Sequence, residues 1–312
     1  MNKILVTGAA GFVGKNLIQL LVSNGNTDEL ILVDKNPLNP SSMDLLRSKG
    51  TRFKTYISSK LPTGSLAQDL EAVVCLAGAT SVDAALWEPK KAIDENILIA
   101  VDLAEWARCV NSKAKIIYMS SDEVLGESFE PLAENSPLNP TQPYAVSKAS
   151  AEMILHNYRD VYNLNIVTLR SCNLIGIGQK KPKLIPTAVY SLLEKCPIPI
   201  HGDGNQLREW MDVEDLCRAI IVLLEQNVQP QVFQATSGVK ISVNDVVEIV
   251  ARCLDIDLHI AHVADRLVQD RSYAMQASRL NSIGWKPDST PQDAIVRASM
   301  SLAGKSVNEY AF

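Results

Sequence analysis

The sequence has no C-x-x-C pair, no apolar run near the roughly 18 residues of a membrane helix, and no block of like charge. Each absence removes a class of function. The six cysteines, at positions 75, 109, 172, 196, 217 and 253, are widely scattered, which excludes a zinc ribbon or a dithiol redox motif. Cysteines inside apolar runs behave as small buried hydrophobes, so a reducing, cytoplasmic setting is expected. Histidine numbers only four, and His259 and His262 have no cysteines or acids in ligand spacing, so no metal site is expected. The net charge is −5 and the longest basic cluster is QKKPK at 179–183, which leaves no footprint for nucleic acid. Neither internal repeats nor a low-complexity linker interrupts the chain.

What is present is ordinary for a globular chain: 312 residues, 46% hydrophobic and 21% charged, enough for a large core. Strand-like runs (KILVTG, ELILVD, RFKTYI, EAVVCLAG, AKIIYMS, LNIVTLR) alternate with helical segments through residue 170. That rhythm predicts an α/β fold, a Rossmann-like doubly wound parallel sheet with helices on both faces. Beyond it, prolines at 182, 186, 197 and 199 shorten the pieces. The expected division is a nucleotide-binding domain over 1–170, with 207–228 returning to it. A smaller C-terminal α/β lobe over 171–206 and 229–312 would bind substrate.

Three stretches carry chemistry. In TGAAGFVG, Gly8, Gly11 and Gly14 stand three apart between a strand and a helix. Glycine lets a pyrophosphate approach the backbone, and the helix N-terminus offers its positive end. The second strand ends in Asp34, twenty residues after Gly14, where a carboxylate accepts from an adenosine ribose diol and repels a 2′-phosphate. The cofactor expected is therefore NAD. In PYAVSKASAE, Tyr144 and Lys148 lie four apart on one helix face, where an ammonium beside a phenol would favour the phenolate. In YMSSDEVLGE, an apolar strand ends on Ser121, Asp122 and Glu123. Neighbours on a strand point to opposite faces, so both carboxylates reach one substrate only if the strand has already broken there.

The glycine turn, strand-end serine and Y-x-x-x-K together resemble the short-chain dehydrogenase/reductase superfamily, in its extended nucleotide-sugar branch. SSDEVLG closely resembles the motif of dTDP-glucose 4,6-dehydratases. The resemblance implies oxidation of a sugar carbon by Ser121, Tyr144 and Lys148, with Asp122 as acid and Glu123 as base for elimination of water. It also implies NAD contacts at Gly8, Gly11, Phe12, Val13, Gly14, Asp34, Leu76, Ala77, Ala79, Asn96, Tyr144 and Lys148. RSCNLIG, KPKLIPTAV, IPIHGDGNQLREWMDVEDL and ADRLVQDRSYAMQ are similar to later family segments. They imply a nucleotide-diphosphate sugar held by Thr80, Asn173, Lys183, Leu184, Arg208, Arg271 and Tyr273.

The chain departs from that pattern at Ser81, Ala84, Leu125, Leu174, Ile175, Val243 and Gln269, and carries Ser58 where an acid often follows the third strand. The leading expectation is an NAD-dependent nucleotide-sugar 4,6-dehydratase, a lyase that keeps its cofactor tightly bound. A 4-epimerase or uronate decarboxylase of the same superfamily is the alternative, and a non-catalytic NAD-binding protein a third reading. The family implies a homodimer through two long helices, with Leu98, Val101 and Leu103 on one and Met153 and Ile154 on the other as apolar candidates.

Overall fold

The computed structural model describes residues 3–25 and 29–306. Strand and helix alternate from the start: β1 (Lys3–Thr7), α1 (Phe12–Asn24), β2 (Glu29–Asp34), α2 (Pro40–Ser48), β3 (Arg52–Ile57), the single turn α3 (Ser65–Gln68) and β4 (Ala72–Cys75). Next come α4 (Val82–Trp87), α5 (Pro89–Cys109), β5 (Lys115–Ser121), α6 (Pro143–Tyr162) and β6 (Ile166–Ser171). The remainder holds β7 (Asn173–Ile175), α7 (Leu184–Leu193), β8 (Ile198–His201), β9 (Leu207–Asp212), α8 (Val213–Glu225) and β10 (Val232–Ala235). It closes with β11 (Lys240–Ser242), α9 (Val243–Leu254), β12 (Ile260–Val263), α10 (Ser278–Ser282) and α11 (Pro291–Leu302).

Seven strands form one parallel sheet in the order β10-β6-β5-β4-β1-β2-β3. Its central strands are apolar throughout because both faces are covered. Ile4 and Val6 of β1 pack on the side of α1 and α8, while Leu5 packs on the side of α5 and α6. Pro89 sits at the first turn of α5, where a missing N–H costs nothing, and so separates α5 from α4. Leu103, expected on a surface facing a second copy, is instead buried in the core beneath α5; its neighbours Leu98 and, on α6, Met153 are 58% and 63% exposed.

The smaller lobe consists of a three-stranded sheet, β11-β9-β7, the parallel pair β12-β8, and helices α7, α9 and α11 around a second core that includes Ile185, Val247 and Ile295. The expected boundary needs correction. β9, expected with 207–228 in the main domain, pairs with β7 and β11 in the lobe, while β10, expected in the lobe, pairs in parallel with β6 as the edge of the main sheet, and α10 and Trp285 pack into the main core. Burial drives this: every residue of β10 is buried, and Trp285 Nε1 donates to the Asp215 carbonyl at 3.0 Å. Among the described residues, no helix is long and apolar enough to cross a membrane.

Candidate active site

The cofactor end starts with the glycine turn. A Cβ on Gly14 would stand 2.3 Å from the Gly8 carbonyl oxygen, so only glycine lets α1 begin this close to β1. Gly11 caps α1 without a side-chain hydrogen bond, leaving the first-turn N–H groups at Phe12 and Val13 available to an anion. Asp34, at the end of β2, accepts from Ala10 N at 3.0 Å through Oδ2 and from Asn36 N at 2.8 Å through Oδ1. Each oxygen keeps a lone pair, and the carboxylate is fixed beside the turn. A dinucleotide pyrophosphate and ribose fit these residues.

The loop after β4 carries Leu76, Ala77, Ala79 and Thr80. Leu76 N donates to the Thr7 carbonyl and Ala77 N to Thr7 Oγ1, which anchors the loop next to the glycine turn. Asn96 of α5 is buried; its Oδ1 accepts from Ala79 N at 2.9 Å and its Nδ2 donates to Ser147 Oγ at 2.8 Å. Ser147 in turn donates to the Tyr144 carbonyl at 2.7 Å. One asparagine therefore joins the cofactor loop to the tyrosine helix.

The chain breaks out of β5 exactly where two carboxylates need it to: a 3-10 turn spans Asp122–Leu125, capped by Ser121 Oγ, which accepts from Glu123 N at 3.3 Å. Gly126 ends the turn at φ 74°, and a Cβ there would meet the Asn139 carbonyl at 2.2 Å. Asp122 thus takes the Ser121 hydroxyl and Glu123 the amide of Gln142, the cap of α6 two residues before Tyr144. Ser121 Oγ donates to Asp122 Oδ1 at 3.0 Å, and Ser121 lowers the Tyr144 phenol against its burial. Asp122 is 4% exposed, and its Oδ2 is buried without a partner. Burial, then the charge of Glu123, push its carboxyl up to about 8, so it is protonated at neutral pH. Burial raises Glu123 as well, against the opposing charges of Arg208, Lys183 and Arg266.

Lys148 lies one turn from Tyr144 on α6 and is buried. Its Nζ donates to the Met119 carbonyl at 2.6 Å and lies 4.5 Å from the Tyr118 ring centroid, and burial lowers it to about 8. Tyr144 is held above the ordinary phenol range by burial and by the Glu123 charge, with Ser121 opposing them.

From the lobe, Arg208 of β9 donates to the carbonyls of Leu207 and Asp270, both at 2.8 Å, and stacks 4.6 Å from the Tyr273 ring centroid. Tyr273 Oη and Thr141 Oγ1 both donate to Asp270 Oδ2 at 2.5 Å. Lys183 Nζ donates to the Thr80 carbonyl at 3.0 Å, next to Leu184 at the start of α7, while Asn173 opens β7. Arg271 lies apart from this group: half-exposed, it pairs with Asp203 at 3.1 Å. Four residues at the site escaped the sequence reading. Asp270 orders Tyr273, Arg266 grips Asp83 of α4 with two hydrogen bonds at 2.6 and 2.9 Å, and Gln142 donates to Glu123. The only signal available was adjacency, since Asp270 and Arg266 lie in ADRLVQDRSY and Gln142 precedes Pro143-Tyr144.

The chain is similar to known proteins over nearly its whole length. The chain is 29% identical over 298 residues to the low-salt glycan biosynthesis protein Agl12 of Haloferax volcanii, covering 94% of this chain and 96% of that one. It superposes on DesIV, a dTDP-glucose 4,6-dehydratase of Streptomyces venezuelae solved with NAD bound, with a TM-score of 0.90 at 26% identity, covering 99% and 98% of the two chains. It shares the fold of a UDP-glucuronic acid 4-epimerase of Bacillus cereus, with a TM-score of 0.87 at 24% identity over 97% and 99%. Residues 4–235 match the model of the NAD dependent epimerase/dehydratase family. A glycine turn that admits a pyrophosphate, a fixed Asp34 and that match over most of its length lead to one conclusion: the chain belongs to the NAD dependent epimerase/dehydratase family.

Proposed function

We propose that the protein is a nucleotide-sugar 4,6-dehydratase that converts an NDP-hexose to the NDP-4-keto-6-deoxyhexose. The observation that carries this reading is the 3-10 turn at Asp122–Leu125, which takes two adjacent carboxyl groups off the end of β5 in different settings, Asp122 against Ser121 and Glu123 against Gln142 at the cap of the Tyr144 helix. Similarity to a dTDP-glucose 4,6-dehydratase at 26% identity supports it.

Tyr144 takes the proton of the hydroxyl at carbon 4, and Ser121 shares that hydroxyl's hydrogen bond. NAD, when bound at the glycine turn, supplies a hydride acceptor for carbon 4 and later a hydride donor for carbon 6. The keto group at carbon 4 acidifies the neighbouring hydrogen, and Glu123 removes that proton from carbon 5. Asp122 gives its proton to the hydroxyl leaving carbon 6 as water. Two carboxyl groups in one site take opposite roles because their surroundings differ: Asp122 faces the charge of Glu123, whereas Glu123 faces Arg208, Lys183 and Arg266. Lys148 orients the end of β5 through Met119. Lys183 and Arg208 supply cations for the diphosphate, and Thr80, Asn173, Leu184 and Tyr273 contact the nucleotide sugar; Arg271, held apart from them by Asp203, would join them only by leaving that pair. Two copies pair through the exposed apolar residues of α5 and α6, Leu98 and Met153, with half-buried Val101 and Ile154 beside them. Equilibrium sedimentation with Met153→Glu tests that pairing, which predicts a shift to monomer.

The reaction is tested by incubating the purified protein with dTDP-, UDP-, GDP- and CDP-hexoses in deuterated water and following product mass. Loss of one water with one solvent deuterium at carbon 5 is expected. An unchanged mass with inverted configuration would assign a 4-epimerase, loss of carbon dioxide from a uronate a decarboxylase, and NAD binding without any conversion a non-catalytic protein.

A further inference from the structure

We propose that Gln142 is a positioning residue, tying the carboxylate of Glu123 to the first turn of the helix that carries Tyr144 and holding it as a proton acceptor. This rests on the reading of Glu123 as the base at carbon 5. Gln142 is the N-cap of α6 and is 4% exposed. Its Oε1 accepts from Tyr144 N at 2.8 Å. A backbone N–H only donates, so this bond fixes which end of the amide is oxygen, and the NH2 end meets a Glu123 oxygen. An amide NH2 also only donates. The oxygen it meets must accept, as an ionised carboxylate does.

The choice of residue supports the same inference. Serine, asparagine and aspartate are the favoured caps, and each reaches a first-turn N–H with a shorter side chain than glutamine. The additional length is needed only for the second contact. The charge balance around Glu123 explains why the donor is neutral. Asp122 on its own turn, Tyr144 of α6 and Tyr273 of the lobe face it, as do three cations: Lys183 before α7, Arg208 of β9 and Arg266 after β12. A fourth cation would further weaken the base. An amide holds the carboxylate without adding charge. The base and Tyr144 act on adjacent carbons, so one rigid frame sets their separation.

Two variants of the NAD-loaded protein test this. Gln142→Ser keeps an acceptor for Tyr144 N but falls short of Glu123. Gln142→Glu keeps the length and the acceptor but replaces the donor. Hydrogen bonding to a charged form favours that form, so losing it raises the Glu123 pKa, and the acidic limb of the kcat profile moves up by about one pH unit in Gln142→Ser. At a pH on that limb, kcat falls about 10-fold in Gln142→Ser and about 100-fold in Gln142→Glu, with KM unchanged. A residue that only caps the helix would leave kcat and its pH profile intact in both variants, and that result overturns the proposal. If the unmodified protein eliminates no water from any sugar, the dehydratase reading falls separately. Infrared difference spectra still test Gln142, with Glu123→Gln identifying the Glu123 carboxyl band. A band midpoint that rises in Gln142→Ser sustains the proposal, and one that stays in place refutes it.

Discussion

Replacing Asp122 by asparagine separates two consequences of one buried proton. In the fold, burial and the charge of Glu123 hold this carboxyl up to about 8, whereas in the unfolded chain it ionises near 3.9. At pH 7 folding must therefore take up a proton, at a cost of roughly 4 kcal/mol. Asparagine needs none. Its NH2 would occupy the place of Oδ2, which has no partner, and an unsatisfied buried amide returns about 1–3 kcal/mol of that cost. The expected net effect is a D122N protein about 2 kcal/mol more stable at pH 7, several degrees in Tm. The sign follows from the raised pKa. Wild-type stability from this group is complete below pH 4 and is lost as pH rises from about 4 to about 8, so the advantage of D122N shrinks in acid and reverses near pH 4, where only the unsatisfied amide, about 1–3 kcal/mol, remains. Activity moves the other way. Without a general acid, water loss falls about 10³-fold, while exchange at carbon 5, which needs only Tyr144, NAD and Glu123, persists. Thermal denaturation between pH 4 and 8, alongside product mass in deuterated water, reads both effects. Water loss at the wild-type rate, or a stability difference independent of pH, would refute the reasoning.

Other outcomes follow from single contacts. Tyr144→Phe removes the group proposed to take the carbon 4 proton, and kcat is expected to fall at least about 10²-fold with NAD still bound, checked by turnover and by retained cofactor absorbance. Asp34→Ala loses the carboxylate fixed by Ala10 and Asn36, so NAD dissociation measured by fluorescence titration should weaken about 10-fold or more, with discrimination against NADP reduced. Glu152→Ala strands Arg170, whose side chain is 3% exposed and which bonds Glu152 through Nε and Nη2. A urea midpoint corresponding to about 3–5 kcal/mol of lost stability is expected, and a change under 1 kcal/mol would show the guanidinium finding new partners.

The main sheet was legible because its strands are buried on both faces and so read as unbroken apolar runs bounded by glycine turns. The lobe was not. β12 pairs with β8 some sixty residues earlier, a partner that the local pattern of DLHIAHV does not reveal, and β10 looks like any short apolar run until its place beside β6 is known. At the site, YMSSDEVLG announced that the strand had to break before both carboxylates could converge, and the 3-10 turn is that break. Spacing along a helix was a weaker guide. Tyr144 and Lys148 share a face as their separation requires, but a backbone carbonyl and the ring of Tyr118 hold the ammonium. Gln142 was invisible because a polar residue before proline reads as an exposed cap, and only its burial against Glu123 distinguishes it.

The crossing of the chain between sheet and lobe limits how such a protein can change. α8, β10 and α10 belong to the main body, and the segments on either side of them build the lobe. No contiguous stretch of gene therefore encodes the lobe, and recombination cannot exchange it as a cassette. New specificity must arise by substitutions within the strands and loops already there. By the same lacing, a single proteolytic nick at a crossing would leave both fragments held on the same sheet.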